Sequence, residues 1–423
     1  MQEEYLHYIW RMKRLNFNQL NLTNGVPVTI KEIGWYNLDA GPDFFNGTVI
    51  IDGIKWSGNI ELHIKSSDWY AHKHHLDEAY NNVVLHVVHE HDKDVYVNGS
   101  RLPTIELKNQ IDVHHYHSYQ KILSNPFKVA CSNVVMDFKL SLLQQIDVSF
   151  LHRIERKGLA LLEFVNREQI DKDSIFFTAI LKAVGGRVNK LPMQELACIL
   201  PYQLLAKEQW DKTRLEALIF GAAGFLNNDY EEKYYKELSH SWKLLKHKHG
   251  LLEMKKSAWK FGGIRPTSFP SYILAQVCGF LLQFDLRTFL HLESKQIIEK
   301  VNNLAGSFIH GYWRDHYLFG SITKERKLGF SKLFKLNLII NGLVPYFVAL
   351  KHLNNDFSYS DKAVEIMENL PSESNNVINY WKNIGFLPQN ALESQGLLEL
   401  NNEFCKFKKC LSCKVGMENL EKY

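Results

Sequence analysis

The stretch "FFNGTVIIDGIKWSGNIELHIK", residues 44–65, decides the fold of the first part of the chain. Two runs rich in β-branched residues flank the dipeptide Asp52–Gly53, a pair that favours the tight turn of a β-hairpin. Because strand side chains alternate between two faces, Glu61, His63 and Lys65 share one face and the isoleucines and leucine between them share the other. The pattern predicts an antiparallel hairpin with one apolar face and one charged, imidazole-rich face.

The segments around this hairpin extend it into an α/β domain. The predicted elements, in chain order, are a helix at 3–15, a strand at 26–37, the hairpin at 44–65, a helix-like segment at 66–81, a strand at 82–91 and a strand pair at 95–107. We therefore expect residues 1–135 to form an α/β domain built as helix, three strands, helix, strand around a mixed sheet. Residues 136–423 show helical spacing of apolar side chains and predict a large all-α region that ends in a cysteine cluster.

Composition limits the class of protein. The chain has 423 residues, of which 45% are hydrophobic and 23% charged, so it is folded rather than disordered and is long enough for more than one domain. A net charge of +4 permits an anionic partner, but it is far from the bias of a dedicated nucleic-acid binder. The charged N-terminal residues and the shortness of the apolar stretches 272–284 and 336–350 predict a cytoplasmic protein with no membrane span.

A carboxylate next to the hairpin suggests its chemistry. Asp43 lies directly before the first strand, so antiparallel pairing brings it near Glu61 or His63. Carboxylate oxygens are the ligands that Mg²⁺ prefers, and a lysine beside the metal stabilises developing negative charge. The charged face of the predicted hairpin, together with Asp43, predicts metal-assisted phosphodiester hydrolysis with Mg²⁺ or Mn²⁺. The alternative is that Glu61 and Lys65 form an ion pair on an exposed sheet face, which contributes little.

With this order of elements, "PD" before one strand and a carboxylate and lysine on the next, residues 1–135 resemble the core of the PD-(D/E)XK nuclease superfamily. The resemblance implies that Asp43 is the aspartate of "PD" and binds divalent metal together with Glu61. It implies that Lys65 assists the nucleophile and that an acid on the first helix, Glu4 or else Glu3, joins the metal site. DNA or RNA would be the substrate.

One position departs from that superfamily pattern. The residue two before Lys65 is His63 instead of an acid, and Glu61 stands four before it. His63 is then a metal ligand or a proton-transfer group, or the protein is a catalytically inactive nucleic-acid-binding or scaffold protein of nuclease shape. A further alternative is a transition-metal site of Glu61 and His63 with His72 and His75, because imidazole suits such metals better than Mg²⁺.

A longer resemblance covers nearly the whole chain. Three segments are similar in sequence to a family of uncharacterised bacterial proteins known only as a domain of unknown function. They are residues 40–92, "RPTSFPSYILAQ" at 265–276 and the cysteine-rich end. This resemblance implies no activity.

Three cysteines lie within nine residues near the C-terminus, as Cys405-x4-Cys410-x2-Cys413. The tight pair can chelate a metal through two thiolates, and Cys131 is our choice of fourth ligand. One upstream cysteine and three near the end resemble the iron–sulfur ligands of some PD-(D/E)XK nucleases, with the gap order reversed. The expectation is a [4Fe–4S] cluster or Zn²⁺ at these four residues. The two other cysteines lie in apolar helical runs and are expected to be core thiols.

Overall fold

A computed structural model describes residues 1–163 and 172–422 of the chain. It contains two units: residues 1–145 with 401–423 form unit 1, and residues 146–400 form unit 2. The sequence prediction instead placed the division at 135/136 and assigned the cysteine cluster to the helical region. The C-terminal segment belongs to unit 1 because Leu411 and Leu420 are buried in the hydrophobic core of that unit.

Ten strands lie in the described part of the chain. In chain order they are β1 Val28–Glu32, β2 Trp35–Tyr36, β3 Phe44–Ile51, β4 Ile54–Lys65, β5 Val83–Glu90, β6 Tyr96–Val97, β7 Ser100–Arg101, β8 Thr104–Glu106, β9 His316–Leu318 and β10 Ser321–Ile322.

The main sheet of unit 1 is mixed, with the strand order β1-β3-β4-β5-β8 and β2 paired to β3. The pairs β1/β3 and β3/β4 are antiparallel, whereas β4/β5 and β5/β8 are parallel. Asp52 and Gly53 both have positive φ, 50° and 75°, as the predicted hairpin turn requires. The mixed sheet followed by a helix-rich region confirms the coarse fold prediction.

Helices make up most of the remainder. In chain order they are α1 Glu3–Arg11, α2 Asp68–Ala71, α3 Val113–Ser124, α4 Lys139–Leu162, α5 Lys172–Val184, α6 Lys190–Ile199, α7 Tyr202–Glu208, α8 Lys212–Ala222, α9 Lys233–His249, α10 Pro270–Leu281, α11 Leu286–Leu290, α12 Ser294–Asn302, α13 Lys332–Asn337, α14 Val344–Asn354, α15 Ser358–Glu368, α16 Asn376–Asn383, α17 Ala391–Glu399 and α18 Lys414–Glu421.

Unit 1 is a two-layer structure in which helices cover the apolar face of the sheet. Ile60 and Leu62 of β4 are fully buried in one cluster with Leu6 and Trp10 of α1 and Tyr119 of α3. Since the same strand presents Glu61 and His63 on its other face, the hydrophobic core fixes the orientation of the polar face as well.

Unit 2 departs from the prediction of an all-α region in two respects. It contains the two-stranded hairpin β9–β10, and a π-helical turn at Leu338–Leu343 joins α13 to α14. The joined run Lys332–Asn354 is 23 residues long, so the expectation that this segment is too short to cross a membrane was wrong about its length. In its most apolar window 72% of the residues are buried inside the protein, which favours a core helix.

Candidate metal centre

Two carboxylates lie side by side at the point where β3 begins. The backbone N–H of Asp43 donates to Oε2 of Glu61 at 3.0 Å, and the backbone N–H of Leu62 donates to Oδ2 of Asp43 at 2.9 Å. The pairing of β3 with β4 holds these groups, because Phe44 is opposite Ile60 in the ladder. Each acid is therefore oriented by a backbone donor of the other strand.

Two imidazoles lie against Glu61, and a third lies against one of them. Its Oε1 lies 3.3 Å from Nε2 of His74 and 3.6 Å from Nε2 of His63. Nδ1 of His72 lies 3.2 Å from Nε2 of His63. One ligand atom from each histidine lies within 4.8 Å of the others. His63 is buried, His74 half-buried and His72 exposed. The cluster is therefore closed to solvent at His63 and open to solvent at His72.

Packing orients the histidines. Nδ1 of His63 lies 2.9 Å from Nε2 of His86, which is fully buried on β5. The ring of His74 stacks on Tyr80, with centroids 3.8 Å apart and an interplanar angle of 23°. Between His72 and His74, Lys73 adopts φ +64°, a left-handed conformation that is uncommon for a residue with a side chain.

Helix α1 contributes two further groups one turn apart. Nε2 of His7 lies 3.2 Å from Oδ2 of Asp43. Burial raises the pKa of Glu3, His7 lowers it and Asp43 raises it again, so Glu3 belongs to the same electrostatic group. Glu4 is exposed, and its negative charge contributes to the raised pKa of Cys410 instead. Glu3, our second choice from the sequence, is thus the acid of α1 that faces Asp43.

Lys65 lies at the exposed end of β4. Its backbone N–H donates to Oδ2 of Asp68 at 2.8 Å and so joins the strand to α2. Two positions before Lys65 the strand carries His63, which is buried beside Glu61. An imidazole therefore occupies the position at which an acid was expected.

Burial drives the acid and the imidazoles of the cluster toward their neutral forms. It raises the pKa of Glu61 to about 9, with Asp43 and Glu3 adding to the rise. It lowers the pKa of His63 to about 2 and of His86 to about 3, assisted by neighbouring histidines, and it lowers the pKa of His74. Neutral imidazole is the form that binds metals, and a divalent cation would stabilise the Glu61 carboxylate.

The donor set fits some divalent metals better than others. Mg²⁺ prefers oxygen ligands in a near-octahedral site, whereas imidazole together with carboxylate suits Mn²⁺, Fe²⁺ or Zn²⁺. The carboxylate of Glu61 and the imidazoles of His63, His72 and His74 are a mixed donor set of the kind that suits Mn²⁺ better than Mg²⁺.

One histidine near Glu61 was assigned wrongly from the sequence. We expected His72 and His75 to reach Glu61, but His74 reaches it, while the ring of His75 contacts Tyr70 at a centroid distance of 5.1 Å. The contribution of His7 was missed too. Its position four residues after Glu3 on a predicted helix was the available signal, because such residues share a face.

Taken together, fold and cluster define a protein with a mixed α/β unit that carries a cluster of buried carboxylate and imidazole side chains. The chain belongs to the family described as "Protein of unknown function (DUF2851)", whose model matches residues 3–376. This confirms the resemblance to an uncharacterised family over most of the chain, although the match ends before the cysteine-rich segment. No curated protein and no solved structure matches the chain.

Proposed function

We propose that the chain is a nuclease dependent on a divalent transition metal, which hydrolyses phosphodiester bonds of DNA or RNA at the site formed by Asp43, Glu61, His63, His72 and His74. The observation that carries the proposal is the reciprocal fixing of Asp43 and Glu61 by backbone donors, next to three imidazoles. Such a costly arrangement of buried polar groups, opening to solvent on one side, is typical of a reaction centre.

Each side chain then has a separate role. Bound at this site, a divalent ion supplies a Lewis acid for the phosphoryl oxygen and lowers the pKa of water. Asp43 and Glu61 hold the ion in a fixed direction because their carboxylates are anchored to the strands. His63, His72 and His74 would complete the ligand set through the basic nitrogens of their neutral imidazoles.

Unit 2 offers independent support for an anionic partner. A cavity of about 700 Å³ is lined by Lys212 and Lys327 and by Arg314, which lies 3.4 Å from Glu325 in the same lining. A second cavity, of about 560 Å³, is lined by Arg187 and Arg265 and shares Lys327 with the first. Adjacent cavities lined by cationic side chains suit the phosphates of a nucleic acid.

Cleavage of plasmid DNA and of a labelled RNA, with Mn²⁺ or Mg²⁺ added to metal-free protein, tests the proposal. We expect cleavage with Mn²⁺, weaker cleavage with Mg²⁺, and a loss of at least about a hundredfold in Asp43→Asn. Asp39→Asn, which changes an exposed acid of the same loop, is the matched control and retains activity. Equal activity in Asp43→Asn and wild type would overturn the assignment.

A second function has one observation in its favour: His63 stands two residues before Lys65, where the superfamily pattern has an acid. Without that acid as a metal ligand, the protein would bind nucleic acid and not cleave it. Binding of DNA or RNA by wild type that persists in Asp43→Asn, with no cleavage by either protein in Mn²⁺ or Zn²⁺, would favour this alternative.

A further inference from the structure

The cavity of about 560 Å³ in unit 2 is enclosed by segments that lie far apart in the sequence. They are residues 184–189 at the end of α5, residues 264–268 before α10, residues 272–276 of α10 itself and residues 326–337, which lead into α13. The volume falls within the roughly 300–1,000 Å³ of sites for organic ligands. The tertiary fold of unit 2 therefore builds a site of the size of a small organic molecule.

The lining of this cavity is strongly cationic. Among its described residues are Arg187, Arg265, Arg326 and Lys327, and none is an aspartate or a glutamate. Within residues 1–163 and 172–422, none of these four side chains forms an ion pair. Several positive charges without counter-ions, gathered in one concave site, attract an anion.

Neutral groups hold Arg326 in place. Its Nη2 donates to the carbonyl oxygens of Trp313, at 2.7 Å, and of His316. The guanidinium lies over the ring of Tyr317, 3.5 Å from the centroid. Its Nε is buried and has no hydrogen-bond partner in the described part of the chain. The protein thus fixes the charge of Arg326 without neutralising it, and an anionic ligand would supply the missing counter-charge.

Hydrogen bonds join the segments around the cavity before any ligand is present. The buried side-chain amide of Asn189 donates to the carbonyl oxygen of Lys260 and accepts from its backbone N–H, both at 2.8 Å. The buried amide of Gln276 donates to the carbonyl oxygen of Gly329 at 3.1 Å. A site ordered in this way loses less conformational entropy when a ligand binds.

The same cavity also presents apolar side chains to solvent. Val188 and Leu333 line it and are 47% and 68% exposed. Inorganic phosphate would satisfy the cations and leave these side chains in water. A nucleoside phosphate would do both, because guanidinium groups bind phosphate oxygens and the flat face of a base packs on apolar side chains and on arginine.

We propose that this cavity binds a nucleoside phosphate, with the phosphate at Arg187, Arg265 and Lys327 and the base against Val188 and Leu333. A free nucleotide and the phosphorylated end of a nucleic-acid strand both offer this group. The site lies entirely within unit 2 and is separate from the carboxylate–histidine cluster of unit 1, so the proposal does not depend on nuclease activity.

Calorimetric titration of the full chain in the presence of a metal chelator tests the proposal. The ligands are adenosine, guanosine, cytidine and uridine monophosphate, the corresponding nucleosides, inorganic phosphate, and short oligonucleotides with and without a terminal phosphate. We expect a nucleoside phosphate to bind at least about tenfold more tightly than its nucleoside and than inorganic phosphate. Tighter binding of the monophosphate identifies a free nucleotide as the ligand, and tighter binding of the phosphorylated oligonucleotide identifies a strand end.

Two exposed positions give the matched variants. Arg265→Gln should weaken binding by about tenfold, whereas Lys332→Gln, which changes an exposed lysine beside Leu333 but outside the lining, should not. Failure of every phosphorylated ligand to bind wild type, or equal binding by wild type and Arg265→Gln, would overturn the assignment.

A further variant tests the position of the base. Leu333→Gln changes an exposed side chain and should bind inorganic phosphate as wild type does, while its preference for the nucleoside phosphate falls. An unchanged preference in this variant would contradict the placement of the base against Leu333.

Discussion

Replacing Glu61 by glutamine should stabilise the metal-free protein at alkaline pH and weaken its metal binding. The pKa of this acid rises from its ordinary 4.5 to about 9 in the folded state. Between those values the folded protein retains a proton that the unfolded chain releases, so the free energy of unfolding falls as pH increases. Glutamine cannot ionise, and its side-chain carbonyl oxygen can still accept from the backbone N–H of Asp43.

The size of the effect follows from the pKa values. At about 1.4 kcal/mol per pH unit, wild type should lose roughly 3 kcal/mol relative to Glu61→Gln between about pH 6.5 and about pH 8.5. The histidines act in the opposite sense, since their lowered pKa values make stability rise with pH up to the pKa of the unfolded imidazole. They are the same in both proteins, so their contribution cancels in the difference.

Urea unfolding of both proteins with a metal chelator, at several pH values, measures this difference. Glu90→Gln is the matched control, because Glu90 is half-exposed on the neighbouring strand and lies 3.5 Å from Lys108. We expect no pH-dependent difference for the control. With saturating Mn²⁺ the order reverses, since wild type gains more binding energy than Glu61→Gln. Parallel pH profiles for wild type and Glu61→Gln without metal would refute the reasoning.

Three further outcomes are expected. Lys65→Ala should reduce cleavage by less than about tenfold, because the lysine is exposed at the strand end; a kcat assay checks it, and a total loss would restore the role inferred from the superfamily pattern. Tyr80→Leu removes the ring that stacks on His74 and should weaken Mn²⁺ binding by roughly tenfold in calorimetry, whereas Tyr80→Phe should not. Gly416→Ala should destabilise the C-terminal segment by at least about 1–3 kcal/mol, seen as faster proteolysis, because its Cβ meets the carbonyl of Cys410.

The parts of unit 1 that the sequence predicted well are those set by local rules. Alternation along residues 54–65 specifies a strand whose two faces differ in polarity, and Asp52–Gly53 specifies the turn that pairs it with residues 44–51. The register set by the turn would place Phe44 opposite Glu61. An irregularity between Phe44 and Gly47 shifts the ladder by one residue, so that Phe44 pairs with Ile60 and Asp43 lies next to Glu61.

The predictions that were wrong depend on tertiary contacts or on the backbone conformation of single residues. His74 reaches Glu61 and His75 does not, because Lys73 takes a left-handed conformation. A lysine in the sequence does not predict such a conformation. Glu3 faces the site, and Glu4 does not, because the apolar face of α1 packs on the sheet at a rotation that neighbouring elements determine. The return of residues 401–422 to unit 1 is a contact across most of the chain, beyond any local pattern.

The central claim is that Asp43, Glu61 and the three histidines together hold one divalent ion. An anomalous difference map from crystals of the full chain grown with Mn²⁺, recorded near the manganese edge, tests it most directly. We predict one strong peak within bonding distance of Glu61 and at least two of the imidazoles, and no such peak in Glu61→Gln. A wild-type map with no peak at this cluster would contradict the account.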